Sequence, residues 1–306
     1  MTPMFQRYFL VGIILVSFLT GCASSNGAPG SQTTPASAGA YIQNKGSDTI
    51  VNLALAWAER YQGENADVRI SVTGGGSGTG IAALINGTVD IANASRKITD
   101  QERAEAKKNG YDAIEYVVAR DAIAVIVNPH NSVTKLTLQQ ISDIYSAKIN
   151  NWAELGGENR PIVRLSRESN SGTHVYFLQT VIRLGNANDK TLFSPDTLLL
   201  PSSEGIIAEV RDNPNAIGYD GLGYITPEVK TVALGKDAQG PFILPSIETV
   251  NNGAYAVSRD LYMYTNQNPT PAAQAYLKWI VSDEAQQIVK DLGFVPILKT
   301  TGTAVP

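Results

Sequence analysis

The stretch DVRISVTGGGSGTGIAALINGTVDIANAS, residues 67–95, decides the fold. In DVRISVT, β-branched residues alternate with polar ones until a glycine run ends the segment, which is the pattern of a strand. TGIAALINGT reads as a helix with Ile81, Leu84 and Ile85 on its apolar face, and VDIANAS reads as a second strand. Strand, glycine-rich turn, helix, strand is a βαβ unit, and it implies a parallel sheet. The turn is GGGSGTG, Gly74–Gly80, all glycine except for two small hydroxyl residues. Where a strand feeds a helix N-terminus, unpaired N–H groups and the positive end of the helix dipole converge. Such a place binds anions, and glycines let an anion approach the backbone. A glycine turn with no ligand is the plain alternative for one such loop taken alone.

Outward from this unit the same grammar recurs. In PIVRLSRESNSGTHVYFLQTVI, residues 161–182, a strand ends in a Ser-rich turn and a helix starts at about Gly172. Strands and helices keep alternating through DAIAVIVN, LTLQQISDIY and AYLKWIVSDEAQQIVKDLG, so an α/β fold is expected. With 306 residues, 43% of them hydrophobic, the chain is long enough for one large domain or two smaller ones. The formal net charge is −4 and there is no Lys/Arg run, which argues against a nucleic-acid surface. An anion site would therefore be local and would work against the sign of the whole molecule.

The N-terminus reads as a targeting segment. Arg7 precedes the apolar run YFLVGIILVSF, which is of signal-peptide length and short for a membrane span. LTGC, Leu19–Cys22, resembles the lipobox of bacterial lipoproteins; Cys22 would carry the lipid and become the first mature residue. Removing residues 1–21 deletes only the charge of Arg7, leaving the mature chain near −5. Cys22 is the only cysteine, so no internal disulfide can form. ASSNGAPGSQTTPASAGA, residues 23–40, lacks apolar periodicity and reads as a disordered tether. No further membrane span follows.

Several chemistries can be tested on the letters. A phosphate-binding P-loop needs Lys after its last glycine, where Ile81 stands. The dinucleotide fingerprint fits only loosely, as Gly78, Gly80 and Ala83, and export argues against a nicotinamide enzyme. The two histidines, His130 and His174, lie far apart without a ligand-spaced partner, so no metal site is expected. A serine hydrolase would want G-x-S-x-G with a base. Gly75-Gly76-Ser77-Gly78-Thr79 misses the last glycine, although Ser77 keeps that reading open.

Three helix starts rich in hydroxyls remain. KGSDTIVNLALAWAERY opens with Gly46-Ser47-Asp48-Thr49 and runs into a helix with apolar Val51, Leu53, Leu55 and Trp57; Ser47 or Asp48 could be its N-cap. GGGSGTGI is the second, and RESNSGTH, Arg167–His174, is the third. With the strand end Ser95-Arg96, they supply hydroxyls, backbone N–H groups and arginines able to satisfy the oxygens of a small tetrahedral anion. Nothing in them supplies an activated nucleophile with its base, and no catalytic residue is assigned.

Taken together, NKGSDTIVNLALAWAERY, VTGGGSGTGIAALINGTVDIANASRKITDQE, LTLQQISDIYSAKINNWAELGG, SRESNSGTHVYF and AIGYDGLGYI resemble the PstS-like phosphate-binding proteins of bacterial phosphate ABC transporters, over essentially the whole mature domain. The resemblance implies a two-lobed type II periplasmic-binding-protein fold with two hinge crossings, and inorganic phosphate clamped between the lobes. It implies phosphate contacts from Asp48 and Thr49, with the Thr49 backbone as a donor, then Ser77, Ser95, Arg96, Arg167, Ser171, Gly172 and Thr173. The glycine loop would make room for a buried phosphate oxygen. One departure stands out: the best-known members have a carboxylate where this chain has Arg96, and a hydroxyl where it has Asp48. The acceptor would have moved to the first loop, and Arg96 could contact phosphate, pair with Asp48, or both.

The implied organisation is a signal peptide over 1–21, a tether over 22–40, one lobe from 41–121 with 253–306, and a second over 122–252. VARDAIAVIV and NNGAYAVSRD would be the crossings. The chain would be an extracytoplasmic lipoprotein, monomeric, without a cofactor, serving a separate integral-membrane ABC permease. An exported phosphate-ester hydrolase on the same scaffold and a receptor for another oxyanion such as sulfate are the alternatives.

Overall fold

Residues 39–297 are described in a computed structural model; the expected signal segment 1–21, Cys22, the expected tether as far as residue 38 and the tail beyond 297 lie outside the described residues. Strand β1 (Ala40–Gly46) leads through a 3₁₀ turn, Asp48–Ile50, into helix α1 (Val51–Glu64). Then come β2 (Val68–Thr73), α2 (Ser77–Ile85) and β3 (Ile91–Ala94). β1 lies between β2 and β3, parallel to both, with Ala40 opposite Val68 and Asn44 opposite Ile91. The βαβ unit read from residues 67–95 is therefore present. Its helix buries Ile81, Leu84 and Ile85 as the spacing required.

Helix α1 corrects one reading. Its buried stripe is Leu53, Ala54, Trp57, Ala58 and Tyr61, while Leu55 is exposed. Two residues on from Leu53 is about 200° around the helix, so Leu53 and Leu55 cannot share a face. Neither Ser47 nor Ile50 makes a side-chain cap. Trp57 anchors the helix instead, its indole N–H donating to the Ala285 carbonyl at 2.9 Å.

The remaining elements are α3 (Asp100–Lys108), β4 (Ile114–Val127), β5 (Lys135–Thr137), α4 (Leu138–Tyr145), β6 (Val163–Arg167), α5 (Gly172–Phe177), β7 (Leu198–Leu200), α6 (Ser203–Asp212), β8 (Ala216–Gly221), β9 (Lys230–Thr231), β10 (Ala233–Gly235), α7 (Ile247–Asn251), β11 (Ser258–Thr265), α8 (Pro271–Ile280) and α9 (Asp283–Asp291). One sheet runs β2-β1-β3-β11-β4-β8-β6-β7, with β9 also on β4. β4 is the joint of the molecule. Its first part pairs antiparallel with β11, from Ile114–Thr265 to Ala122–Ser258, and its second part pairs with β8, from Ile123–Gly221 to Val127–Ile217.

The two-lobed architecture with two crossings is thus built around β4 and the approach to β11. One lobe packs α1, α8 and α9 on one face of its strands, burying Trp57, Tyr276 and Ile280, and α2 on the other, burying Ile81, Leu84 and Tyr264. The second lobe is centred on Tyr145, Trp152, Phe177 and Tyr219. The first of these cores continues past β4 to Leu165, Ile206 and Val210, so the lobes share apolar packing at the joint.

The glycine turn sits where β2 feeds α2. A Cβ at Gly80 would collide with the Lys45 carbonyl and lie 2.6 Å from the Gly46 Cα. These are backbone atoms of the neighbouring strand and cannot swing aside. Gly80→Ala should therefore destabilise the fold by about 1–3 kcal/mol, the usual cost of overpacking. An unchanged urea midpoint would show that α2 can shift off β1 freely.

Candidate functional site

The site begins at Asp48, in the turn after β1. Its Oδ1 accepts the Gly75 N–H at 3.0 Å, and a Cβ at Gly74 would clash with the same oxygen. On its other side Gly76, at φ +90°, lies against the Asn170 backbone of the second lobe. Asn170 binds the loop further, accepting the Gly78 N–H at 3.1 Å and donating its amide to the Gly75 carbonyl at 3.1 Å. The glycines thus admit protein: a carboxylate from the first loop, a strand behind Gly80 and the opposite lobe at Gly76.

Beside this loop four hydroxyls converge from both lobes. Thr49, Ser77, Ser95 and Thr173 are each at most 1% exposed. Thr49 Oγ1 and Thr173 Oγ1 stand 2.7 Å apart, across the cleft. Ser77 Oγ accepts the Ser95 N–H at 2.9 Å and lies 3.3 Å from Ser95 Oγ, which in turn is 3.4 Å from Thr49 Oγ1. Gly172 is packed so tightly on Ser77 and Ser95 that a Cβ there would strike both hydroxyls. Ser171 caps α5, its Oγ accepting the Thr173 N–H at 3.2 Å.

Arg167, at the end of β6, is 1% exposed and ties the lobes together. It donates from Nη2 to Asp48 Oδ2 at 2.8 Å and to the Pro201 carbonyl at 2.7 Å, from Nη1 to Ser203 Oγ at 2.8 Å, and from Nε to the Leu200 carbonyl at 3.4 Å. Four of a guanidinium's five N–H groups are thereby engaged by protein. Ser203 passes the charge on, donating to Asp220 Oδ1 at 3.0 Å. Burial pushes the Asp220 carboxyl up to about 6, and Arg167 pulls against that shift. Tyr224 adds a further tie across the cleft, its hydroxyl donating to the Asp48 carbonyl at 2.6 Å.

A profile of the PBP superfamily domain matches residues 31–284. The phosphate-binding protein PstS of Pseudomonas aeruginosa is 35% identical over 273 residues, covering 84% of this chain and 83% of that one. PstS of Bacillus subtilis is 32% identical over 253 residues, with 82% and 79% covered. This chain belongs to the PstS-like family of phosphate-binding proteins. Its fold agrees: a Clostridium perfringens protein solved with bound phosphate superposes with a TM-score of 0.76 at 31% identity, over 84% of this chain and all (100%) of the other. An ABC-type phosphate transport receptor from Vibrio cholerae gives 0.67 at 25% identity, over the same 84% of this chain and 100% of its own. The type II periplasmic-binding-protein fold is that of these neighbours. The relatives named here are binding and transport proteins.

Of the residues singled out in the sequence, the fold brings Asp48, Thr49, Ser77, Ser95, Arg167, Ser171, Gly172 and Thr173 to one place. Arg96 lies beside them, its Nη2 3.7 Å from where a Cβ on Gly78 would stand. It does not reach Asp48, whose cation is Arg167. Its fork closes on Glu102 instead, Nη2 to Oε1 at 2.6 Å and Nη1 to Oε2 at 2.7 Å. Burial works against the Glu102 charge, but the Arg96 fork and Thr99 outweigh it and hold that carboxyl below its usual range.

Two charges in the joint were not singled out at all. Arg259 on β11 faces Asp121 on β4 in register, and its Nη2 lies 3.1 Å from Asp121 Oδ2. Burial pushes the Asp121 carboxyl up, against the pull of Arg259. Both residues stand inside the quoted crossings. The available signal was an Arg-Asp dipeptide in each crossing, Arg120-Asp121 and Arg259-Asp260, set among apolar strand residues, since a charge there is buried only with a partner. Among the described residues no cluster of His, Cys, Asp and Glu could hold a metal ion, and no helix is long and apolar enough to cross a membrane.

Proposed function

We propose that this chain captures inorganic phosphate between its lobes. The observation that carries the reading is the buried ring of Thr49, Ser77, Ser95 and Thr173, drawn from both lobes and flanked by the Asp48–Arg167 pair. Hydroxyls and the N–H groups around Thr49, Ser171, Gly172 and Thr173 would donate to the phosphate oxygens. Arg167 has one N–H left to add, and Asp48 is the acceptor for a phosphate O–H. Arg96 closes on Glu102 through Nη1 and Nη2, which leaves its buried, unpartnered Nε as the group with which it would contact phosphate. The names of the relatives and the phosphate bound in the Clostridium neighbour support the same ligand. Two hydroxyl oxygens 2.7 Å apart leave no room between them, so the anion enters only when Thr49 and Thr173 part. We place the lobes at 41–121 with 253–306 and at 122–252, opening about β4 and the approach to β11.

Titrating phosphate-stripped protein with phosphate and then sulfate, by calorimetry or tryptophan fluorescence, tests the reading. Saturable phosphate binding with far weaker sulfate binding is expected. Equal affinities would make it a general oxyanion receptor, and no phosphate binding would end the proposal. A hydrolase needs a base on its nucleophile. The partners of Ser77 are the Ser95 N–H and hydroxyl, while His174 is turned to Ser166 and the Arg167 carbonyl. We therefore read the chain as a receptor and not an enzyme; steady turnover of a chromogenic phosphate ester would refute that.

The same reading makes it a monomeric extracytoplasmic lipoprotein, held by lipid on Cys22 and delivering phosphate to an ABC permease. The basis is the lipobox-like LTGC after an apolar run. Cys22→Ser should block lipidation and release the protein from membranes or leave it unprocessed. Unchanged mass and unchanged membrane fractionation would overturn the anchor.

A further inference from the structure

Arg259 is 7% exposed, and its charge is unevenly satisfied. Its Nη2 donates to Thr173 Oγ1 at 2.9 Å and to Asp121 Oδ2 at 3.1 Å, with Thr49 Oγ1 at 3.5 Å. Its Nε and Nη1 are buried with no hydrogen-bond partner. Those two atoms carry three of the five guanidinium N–H groups. An unpaired buried donor on a charged group is among the more costly features a fold can carry. The geometry also places it: the two hydroxyls it approaches, Thr49 and Thr173, are the pair that meets across the cleft.

Arg167 offers a contrast within the same site. Four of its N–H groups are spent on Asp48, Ser203 and the Pro201 and Leu200 carbonyls. Arg259 is held just as firmly but by fewer bonds. Asp121 lies on one side of it, itself accepting the Leu222 N–H at 3.0 Å. The Tyr176 ring lies on the other, 5.4 Å from the guanidinium carbon, with its own hydroxyl donating to the Ser258 carbonyl at 2.6 Å. A cation fixed between a carboxylate and a ring, with donors to spare, is organised in advance for an acceptor that arrives later.

We propose that Arg259 contacts the bound anion directly and is the cation that faces it from the joint between the lobes. The inference rests on the phosphate reading of the site and adds a residue to it. When Thr49 and Thr173 part, the anion takes the place of their mutual hydrogen bond at Nη2 and supplies an acceptor to one of the neighbouring unpartnered nitrogens, Nε or Nη1. The competing role is purely structural: a strut in which Arg259 serves only to neutralise Asp121 where β4 meets β11.

The two roles separate in a double-mutant cycle. Phosphate is titrated calorimetrically into stripped wild type, Arg259→Gln, Asp121→Asn and the double variant, each checked for a cooperative melt. Contact predicts that Arg259→Gln and the double variant both weaken phosphate by roughly 30- to 4,000-fold, the range for truncating one partner of a buried charge pair. Asp121→Asn, which frees Arg259 of its counter-charge, should stay within about tenfold of wild type, a single neutral-for-charged exchange at one remove. A strut predicts instead that both single variants lose affinity alike and that the double variant recovers it; that result overturns the proposal, as does Arg259→Gln binding within threefold of wild type. If Arg259→Gln fails to fold because Asp121 is left buried and alone, the double variant decides by itself. If wild type takes up no phosphate, the site reading has failed before Arg259 is tested.

Discussion

Arg167→Ala should weaken phosphate binding by roughly 30- to 4,000-fold, the equivalent of the 2–5 kcal/mol lost when one partner of a buried hydrogen-bonded charge pair is truncated. The side chain is 1% exposed and is bonded to both lobes. Removing it leaves Asp48 facing the cleft as an uncompensated charge, and it strips Ser203 and Asp220 of the cation that offsets their burial. The loss has two sources. One is the single N–H that Arg167 can still offer an anion. The other is the tie itself, because an unpaired Asp48 would repel the ligand and loosen the closed arrangement. Arg167→Lys separates them in part: it keeps the charge near Asp48 but cannot reproduce a planar fork that serves Ser203 and Pro201 together. It should fall between wild type and Ala. Calorimetry on folded protein decides, and an Arg167→Ala dissociation constant within threefold of wild type would remove this residue from the binding machinery.

What the letters could and could not show divides along one line. The βαβ unit and the helix starting at Gly172 were legible because hydrophobic period and turn chemistry are local. The hydroxyl ring was legible for the same reason: Thr49, Ser77, Ser95 and Thr173 each stand at a helix start or strand end with a recognisable pattern. Pairings between distant segments were not legible. Arg96 and Arg167 are both arginines beside a serine, and nothing local says that the first closes on Glu102 and the second on Asp48. Arg259 and Asp121 meet only because β4 and β11 are antiparallel neighbours, a fact of topology. The glycine run shows the limit most clearly. Its composition announced a close approach, and a close approach is there. Its cause is Asp48, Asn170 and the strand behind Gly80, so the letters gave the steric demand without the identity of the visitor.

Asp48→Asn should narrow the preference for phosphate over sulfate by roughly 10- to 100-fold, the worth of one hydrogen bond to a charged group. A carboxylate next to a bound dianion is repulsive unless a proton lies between them. Phosphate at neutral pH keeps at least one O–H, and sulfate has none. Sites built to pair with a substrate O–H reject analogues lacking it by as much as about 10⁴–10⁵. The geometry leaves Asp48 able to do this. Its Oδ2 accepts from Arg167 and its Oδ1 from Gly75, which occupies two of roughly four acceptor positions on an ionised carboxylate. It does not act as a cap: neither the turn it opens nor α1 has a side-chain cap, and its bonds reach the glycine loop and the opposite lobe. The remaining rival is a tie that only holds Arg167. Asparagine distinguishes the two: its amide oxygen can still accept from Gly75 or from phosphate, while its N–H₂ can donate to sulfate. If Asp48 reads the phosphate proton, sulfate should gain relative to phosphate in the mutant. If Asp48 is only a tie, both anions should weaken together, because closure suffers equally for each. Phosphate and sulfate affinities measured for both proteins at one pH give the ratio, and a ratio unchanged by the mutation would sink the selectivity role while leaving the tie to Arg167 intact.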